Sequence, residues 1–171
     1  MHPLDKFKYC PACGSQKFAI SSEKSRCCED CGFEYFLNPS AAVVAFITNE
    51  RGELLVCRRA KEPAKGTLDL PGGFSDIGES SEQSICREVK EETGLTVIHT
   101  EFLFSLPNDY VYSGFHIPTL DMFYRCEVAD AETVHAADDA SEVMWIPIPN
   151  LSPAKFGLHS IRKGIEQFMN L

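Results

Sequence analysis

The sequence predicts an α+β or α/β sandwich behind a short cysteine-rich head. Three observations predict it. At least five apolar segments with strand character lie between residues 41 and 148. Two stretches, residues 80–94 and 159–168, carry apolar side chains at helical spacing. The first 36 residues hold two Cys-x-x-Cys-Gly pairs. A length of 171 residues suits one ordinary domain with a small appendage, and a hydrophobic content of 44% is enough to build its core.

In the head, Cys10-Pro11-Ala12-Cys13-Gly14 and Cys28-Glu29-Asp30-Cys31-Gly32 are separated by fourteen residues. Each turn brings two thiolates onto one cation, and the glycine relieves the backbone where it curls round the metal. Cys10, Cys13, Cys28 and Cys31 therefore form a candidate four-sulfur site for structural Zn²⁺. Zinc suits an isolated thiolate site better than iron does. A disulfide-stapled head is the alternative, disfavoured without a secretion signal. A redox pair needs a strand feeding a long helix, which neither pair has. Cys27 is left out of the site, because Cys28 and Cys31 repeat the spacing and following glycine of the first pair. Cys57, Cys86 and Cys126 stand singly in apolar contexts and read as small buried hydrophobes. Phe18–Ile20 and Gly32–Phe36 are candidate short strands of a zinc ribbon, too small to hold together without its metal. Asn38-Pro39-Ser40 marks the join, which gives a ribbon over residues 1–38 and a larger domain over 39–171.

Ala41–Thr48 (AAVVAFIT) and Glu53–Arg59 (ELLVCRR) read as strands, with a hairpin turn at Asn49–Gly52. Arg58 and Arg59 end the second strand, and alternation sends one of them inward. Arg58 is carried as a candidate phosphate contact. Leu68–Leu70 is a short strand that delivers the chain to Pro71-Gly72-Gly73. Thr96–Ser105 is expected to be a strand with Phe102 and Phe104 on one side, followed by a glycine- and proline-punctuated loop from Asn108 to Pro118. Tyr110, Tyr112 and Phe115 in that loop are candidates to stack on a base, or else to pack back onto the sheet. Leu120–Val128 and Val143–Ile148 are further strands. His159–Phe168, with Ile161, Ile165 and Phe168 at helical spacing, is a C-terminal amphipathic helix.

The chemistry concentrates between Gly72 and Leu95. Ser80 and Gln83 give a capping-box signal, and Gly94 stands where a helix ends. Between them Ile85 and Val89 form an apolar stripe, while Glu88, Glu91 and Glu92 crowd another face at i, i+3, i+4. Like charges so placed destabilise a helix by roughly a few tenths of a kcal/mol per pair. They become useful around a hard divalent cation such as Mg²⁺ or Mn²⁺, which takes oxygen ligands and also holds phosphate. Arg87 lies one turn before Glu91 and can hold its carboxylate. A solvated acidic helix is the plainer alternative for the glutamates taken alone.

The whole stretch resembles the Nudix box, Gly-x5-Glu-x7-Arg-Glu-apolar-x-Glu-Glu-x-Gly-apolar. Gly73, Glu79, Arg87, Glu88, Val89, Glu91, Glu92, Gly94 and Leu95 fill every fixed position. The resemblance implies an α/β/α sandwich with a mixed sheet, hence an α+β fold. It also implies a pyrophosphohydrolase that cleaves acid anhydrides of phosphorus with Mg²⁺ or Mn²⁺. Glu88, Glu91 and Glu92 would be metal ligands, Arg87 would orient them, Glu79 would be an accessory acid, and Gly72, Gly73 and Gly94 would be structural. The general base would be Glu91 or Glu92, or a late-loop acid, for which Glu132, Asp138, Asp139 and Glu142 are candidates. A zinc ribbon ahead of such a domain is similar to the NADH pyrophosphatase group, which carries Ser-Gln-Pro-Trp-Pro-Phe-Pro after the box. Here Ser105-Leu106-Pro107-Asn108-Asp109-Tyr110 keeps the serine and first proline. Leu106 and Asn108 stand at the glutamine and tryptophan positions, which points away from strict NADH selectivity.

Charge sets the remaining bounds. Sixteen basic and twenty-five acidic residues give a formal charge of −9, and the first 40 residues are balanced at five of each. This argues against non-specific binding to a nucleic-acid backbone. A nucleotide-capped RNA end remains as the one nucleic-acid partner carried forward. The expected partner is a small-molecule nucleoside diphosphate derivative, with a homodimer also carried as an expectation. The N-terminal residues lack the apolar core of a signal peptide, and no apolar run approaches a membrane span. A soluble cytoplasmic protein is the resulting expectation. The functional expectation is hydrolysis of a dinucleotide or ADP-X diphosphate to a nucleoside monophosphate. A nucleoside triphosphate or ADP-ribose pyrophosphatase is one alternative, and a non-catalytic nucleotide-sensing regulator is another.

Overall fold

The computed structural model describes residues 2–112, 114–136 and 140–171. The chain divides into two compact units, Met1–Pro39 and Ser40–Leu171. Among the described residues, no helix is long and apolar enough to cross a membrane.

The first unit is a three-stranded antiparallel ribbon of β1 (Phe18–Ser22), β2 (Ser25–Cys28) and β3 (Glu34–Phe36). Its own apolar core is small: Phe18, Cys10 and Cys28 are buried, with Phe7 and Tyr35 packed against them. So few buried groups cannot offset the chain entropy of ordering some forty residues, and a covalent or metal cross-link has to contribute.

The second unit is built around β4 (Ser40–Phe46), whose two faces are both covered. Val44 and Phe46 join one apolar cluster, while Val43, Ala45 and the following Ile47 join another. That is why this segment reads as a continuous apolar run and not as an alternation. β4 lies in a mixed four-stranded sheet of order β7 (Gly72–Phe74), β4, β9 (Phe115–Val128), β8 (Val97–Tyr112). It pairs antiparallel with β7 and parallel with β9. A second, antiparallel sheet has the order β10 (Ala140–Pro147), β5 (Glu53–Arg59), β6 (Leu68–Asp69). Helix α1 (Ser81–Thr93) buries Ile85 and Val89 in the cluster of Val43, Ala45 and Ile47. Helix α2 (His159–Phe168) buries Ile161 and Ile165 in the other cluster, and its Phe168 stacks on Phe46 with ring centroids 4.1 Å apart. The expected α+β architecture of a mixed sheet with a helix packed in the core on each face is present.

Three local expectations are corrected. The turn at Asn49–Gly52 forms, with Gly52 N–H donating to the Asn49 carbonyl, but β4 and β5 then diverge into different sheets. Hydrogen bonds and bridges to β5 come from Ile47, Thr48 and Asn49, beyond the end of β4. Second, residues 108–118 are not a loop. β8 and β9 stay paired from Val97↔Val128 to Tyr112↔Phe115, so the aromatics stand on a long hairpin. Third, Phe102 and Phe104 face opposite ways. The register shifts between them, placing Phe102 opposite Tyr124 and Phe104 opposite Phe123. One extra residue in a strand reverses every later side chain. Phe104 then packs on Phe46 and Phe123, while Phe102 remains exposed against Tyr124.

The close approach of α2 to the sheet is set by Gly164, where an added Cβ would lie 2.4 Å from the Phe123 ring. Alanine is worth about 1 kcal/mol over glycine within a helix. Overpacking a filled core costs about 1–3 kcal/mol, so the clash should win. Gly164→Ala is expected to lower the urea midpoint; an unchanged or raised midpoint would show that this contact can relax.

Candidate functional site

Helix α1 is positioned at both ends by local chemistry. The Ser80 hydroxyl accepts from the Gln83 amide, and the Gln83 side chain accepts from the Ser80 amide. Gly94 ends the helix in the left-handed conformation, as its position in the sequence indicates. The ring of His135 packs so tightly against Gly94 that a Cβ there would lie 2.0 Å away. That contact had no sequence signal beyond the glycine itself.

Arg87 organises the acidic face. Its Nε and Nη2 donate to the two oxygens of Glu79 at 2.8 and 3.0 Å. Nη1 donates to Glu88 at 2.8 Å and to Glu91 at 3.0 Å, and Nη2 also reaches the Phe74 carbonyl at 3.1 Å. Arg87 in turn holds Glu79 down at a pKa of about 2, helped by the Asp76 amide. Glu88 is half-desolvated, and burial pushes its pKa up against the pull of Arg87. The carboxylate of Glu92 accepts the Gly72 amide at 3.0 Å. At Gly73 an added Cβ would sit 2.7 Å from the Glu88 carboxylate. The Gly-Gly pair and the acids of α1 are therefore in direct contact.

Arg87, Glu88, Glu91, Glu92, Gly72 and Gly73 line a cleft of about 640 Å³, within the ordinary range for a small-molecule site. Its floor is one face of the four-stranded sheet. Gly72 and Phe74, Ala42 and Val44, Ile117, Thr119 and Asp121, and Asn108, Tyr110 and Tyr112 all line it, alternate residues on four neighbouring strands. Glu88, Glu91, Glu92 and Arg87 form one wall, and Arg58, Arg59 and Lys61 stand at another. The oxygen-only donor set of Glu88, Glu91 and Glu92 suits a hard cation, and the glycine beside Glu88 leaves the space its carboxylate occupies.

Other residues singled out in the sequence are distributed as follows. Arg58 lines the cleft and is paired to Glu142 at 2.9 Å. Arg59, which the sequence left unassigned, is the more buried: it contacts Asp69 and donates to the Pro63 carbonyl at 2.7 Å and the Tyr110 hydroxyl at 3.3 Å. Tyr110 meets Phe74 edge-on, 5.5 Å between centroids. Tyr112 lines the cleft near the hairpin tip, while Phe115, its cross-strand partner, is not among the lining residues. Glu132 pairs with Arg51 at 3.1 Å and is likewise not among the lining residues. Asp138 and Asp139 lie outside the described residues. Asp69 and Asp121 were missed. Both are buried, and Asp121 shares strand parity with the core residue Phe123, so an acid at a core-facing position was the available signal.

In the ribbon, the sulfurs of Cys10, Cys13, Cys28 and Cys31 all lie within 4.8 Å of one another. Among the described residues this is the one such group of three or more metal-ligating side chains. Cys10–Cys31 and Cys13–Cys28 are 3.7 and 3.6 Å apart. A tetrahedron of sulfurs at ~2.3 Å from zinc has edges of about 3.8 Å, so the spacing fits that ion. Burial pushes the Cys28 thiol up, but the amides of Cys31 and Asp30 and the adjoining thiols outweigh it and bring its pKa to about 7. Cys27 points its sulfur at backbone carbonyls instead.

A fold of this kind with an acid-lined cleft belongs to a known class. The NUDIX domain model matches residues 38–168, and the chain belongs to the Nudix family. It is 30% identical over 150 residues to the NAD-capped RNA hydrolase NudC of Stutzerimonas stutzeri, covering 86% of this chain and 51% of that protein. The chain thus spans about half the length of the curated relatives it matches. The fold is similar to a Nudix hydrolase from Nitrosomonas europaea, with TM-score 0.74 and 22% identity over 95% of this chain and 90% of that one. It is also similar to the Nudix domain of Shewanella oneidensis NrtR, solved with ADP ribose, with TM-score 0.62 and 23% identity over 79% and 89%.

The two adjacent glycines should differ in tolerance. At Gly72, φ is +151° and a Cβ would lie 2.1 Å from the Val43 carbonyl oxygen, fixed backbone of the central strand. At Gly73 the obstacle is the movable end of Glu88. Gly72→Ala should therefore cost about 3 kcal/mol and Gly73→Ala clearly less. Urea unfolding of both variants tests this ranking, and the reverse order would contradict it.

Proposed function

We propose that the chain hydrolyses the diphosphate linkage of a dinucleotide or ADP-X compound and releases a nucleoside monophosphate. The observation that carries this reading is the Arg87 knot, which is anchored on Glu79 and sets Glu88 and Glu91 along a cleft large enough for a nucleotide. The naming of the related proteins as NAD-capped RNA hydrolases supports the substrate class. Glu88, Glu91 and Glu92 would hold Mg²⁺ or Mn²⁺. When bound, such an ion supplies an acidified water and neutralises charge on the leaving phosphate. The chain's own groups do the rest. Arg87 fixes the directions of the carboxylates, the amide of Gly72 fixes Glu92, and Glu79 stays ionised and keeps Arg87 in place. Arg58 and Lys61 bring positive charge to the opposite wall, where substrate phosphate oxygens need it. Either Glu91 or Glu92 serves as general base in this reading.

Glu91→Gln or Glu92→Gln should cut turnover at least about a hundredfold with little loss of folding, since a metal ligand is removed and the like-charge crowding is relieved. A variant keeping more than a tenth of the wild-type rate on the best substrate would remove that residue from the assignment.

Selectivity is expected to be broad. Leu106 packs against the core and Asn108 lines the cleft, so the glutamine and tryptophan of the NADH-selective segment have no counterpart there. Loss of one stacking surface is worth about 1–3 kcal/mol, ten- to a hundredfold in preference. Values of kcat/KM for NADH, NAD, ADP-ribose, FAD, triphosphates and an NAD-capped RNA under one metal condition should show several ADP-X substrates. NADH should exceed NAD by less than tenfold. Activity confined to triphosphates would select the alternative pyrophosphatase, and no turnover at all would select a nucleotide sensor.

In the ribbon, the four-thiolate site is inferred to hold one structural Zn²⁺ through Cys10, Cys13, Cys28 and Cys31. One equivalent of zinc should survive purification and resist chelators that strip Mg²⁺. Cys13→Ser or Cys31→Ser should release it and melt the ribbon, whereas Cys27→Ser should retain it. Retention by Cys28→Ser with loss by Cys27→Ser would exchange the two neighbours.

A further inference from the structure

The cleft floor holds a buried carboxylate that the phosphate chemistry above does not use. Asp121 is 5% exposed. Its Oδ1 accepts from the Thr119 hydroxyl and its Oδ2 from the Ser160 hydroxyl, both at 2.5 Å. An ionised carboxylate offers about four acceptor positions, so each oxygen keeps one beyond these two bonds. The other buried acid of the cleft, Asp69, differs: it is met by the Arg59 guanidinium and the Leu70 amide. Two neutral hydroxyls are weak compensation for a desolvated charge.

The register places this group opposite an aromatic corner. Across the sheet, Phe74, Ala42 and Asp121 form one transverse row, because Ala42 pairs with Phe74 on one side and with Asp121 on the other. Adjacent strands are ~4.8 Å apart, so Phe74 and Asp121 are separated by roughly 10 Å along this row, with Ala42 between them. Tyr110 closes the corner edge-on to Phe74 and is tied down by Arg59. A flat heterocycle fits over a methyl floor, beside two rings, with its rim toward a carboxylate. The group it must present there is an N–H donor, since a carbonyl oxygen would repel the acid.

Resting on the proposed diphosphate chemistry, we propose that Asp121 is the specificity-determining residue of the cleft, accepting the exocyclic amino group of the substrate's base. Its hydroxyl bonds hold both carboxylate oxygens in a fixed orientation. Ser160 also ties the reading to the start of α2, so a purely structural role for Asp121 would affect stability without affecting the choice of base.

Equilibrium titration of the full chain with AMP, GMP, IMP, XMP and 2′-deoxy-AMP tests this without turnover. Wild type should bind AMP or GMP at least tenfold more tightly than IMP and XMP. In Asp121→Asn, whose amide can donate to an oxo group, that preference should fall below threefold. The same ratios should appear in kcat/KM for NAD against its hypoxanthine analogue. Equal binding of amino and oxo bases by wild type overturns the proposal, and that measurement stands even if the variant does not fold. So does an unchanged preference in folded Asp121→Asn, or a discrimination that follows the 2′-hydroxyl instead. Base discrimination without hydrolysis would fail only the hydrolytic reading, and hydrolysis indifferent to the amino group would fail only this one.

Discussion

The fan of hydrogen bonds from Arg87 is the constraint on which the site depends. Three acids on one helix face are an unfavourable sequence in isolation, by a few tenths of a kcal/mol for each close pair. One guanidinium touching Glu79, Glu88 and Glu91 together converts that repulsion into an ordered array. Arg suits this task where Lys does not, because its planar fork serves several acceptors in fixed directions. The same side chain also reaches the Phe74 carbonyl, so it fastens β7 and α1 into one piece. The loop between them, residues 75–80, is short, and Glu79 lies within it. Glycine at 72 and 73 completes the joint by letting the backbone and the Glu88 carboxylate approach where a side chain would intrude.

The doubly covered strand β4 sets where the cleft lies. Its alternate residues face α1 on one side and α2 on the other, so the floor residues Ala42 and Val44 lead directly into the α2 core. The cleft is the end of that core left unfilled. This explains why polar groups such as Thr119, Asp121 and Ser160 are found buried there, at the boundary between packed apolar side chains and space for a ligand.

What the sequence made legible was local and periodic: the capped helix α1, the helix α2, the double Cys-x-x-Cys ribbon, and β5 with its inward arginine. These depend on spacing along the chain, and spacing is what a sequence displays. Less legible were features decided between elements. The bulge that separates Phe102 from Phe104 leaves no mark in the pattern, since both faces of β8 carry aromatics. The hairpin over residues 108–118 was masked by Pro107, Gly114 and Pro118, which read as loop punctuation. Pro107 and Pro118 are nevertheless accommodated in the paired strands. Arg59 was half visible, because alternation required one of two arginines to turn inward and Asp69 supplied the reason. His135 against Gly94 was not visible at all, being a contact between segments forty-one positions apart.

The distribution of charge around the cleft gives a direction to whatever it binds. A chain with a formal charge of −9 repels nucleotides at long range, so attraction has to come from groups within the site. The acids of α1 can meet phosphate only through a cation, and Arg58 and Lys61 at the end of β5 can meet it directly. In the proposed reading, both would serve the diphosphate end. Arg58 is itself paired to Glu142 but stays the more exposed of the two arginines, whereas Arg59 is the more buried and its guanidinium is held by Asp69, Pro63 and Tyr110 beside the aromatic corner. That leaves the floor beyond Ala42, with rings on one side and the Asp121 carboxylate on the other, as a region where an anion is excluded and a donor-bearing ring is favoured. In the proposed reading, diphosphate and base would thereby be sorted to different parts of one cleft by the sign of the groups that line it, and the glutamates proposed to hold the metal would carry no information about the base.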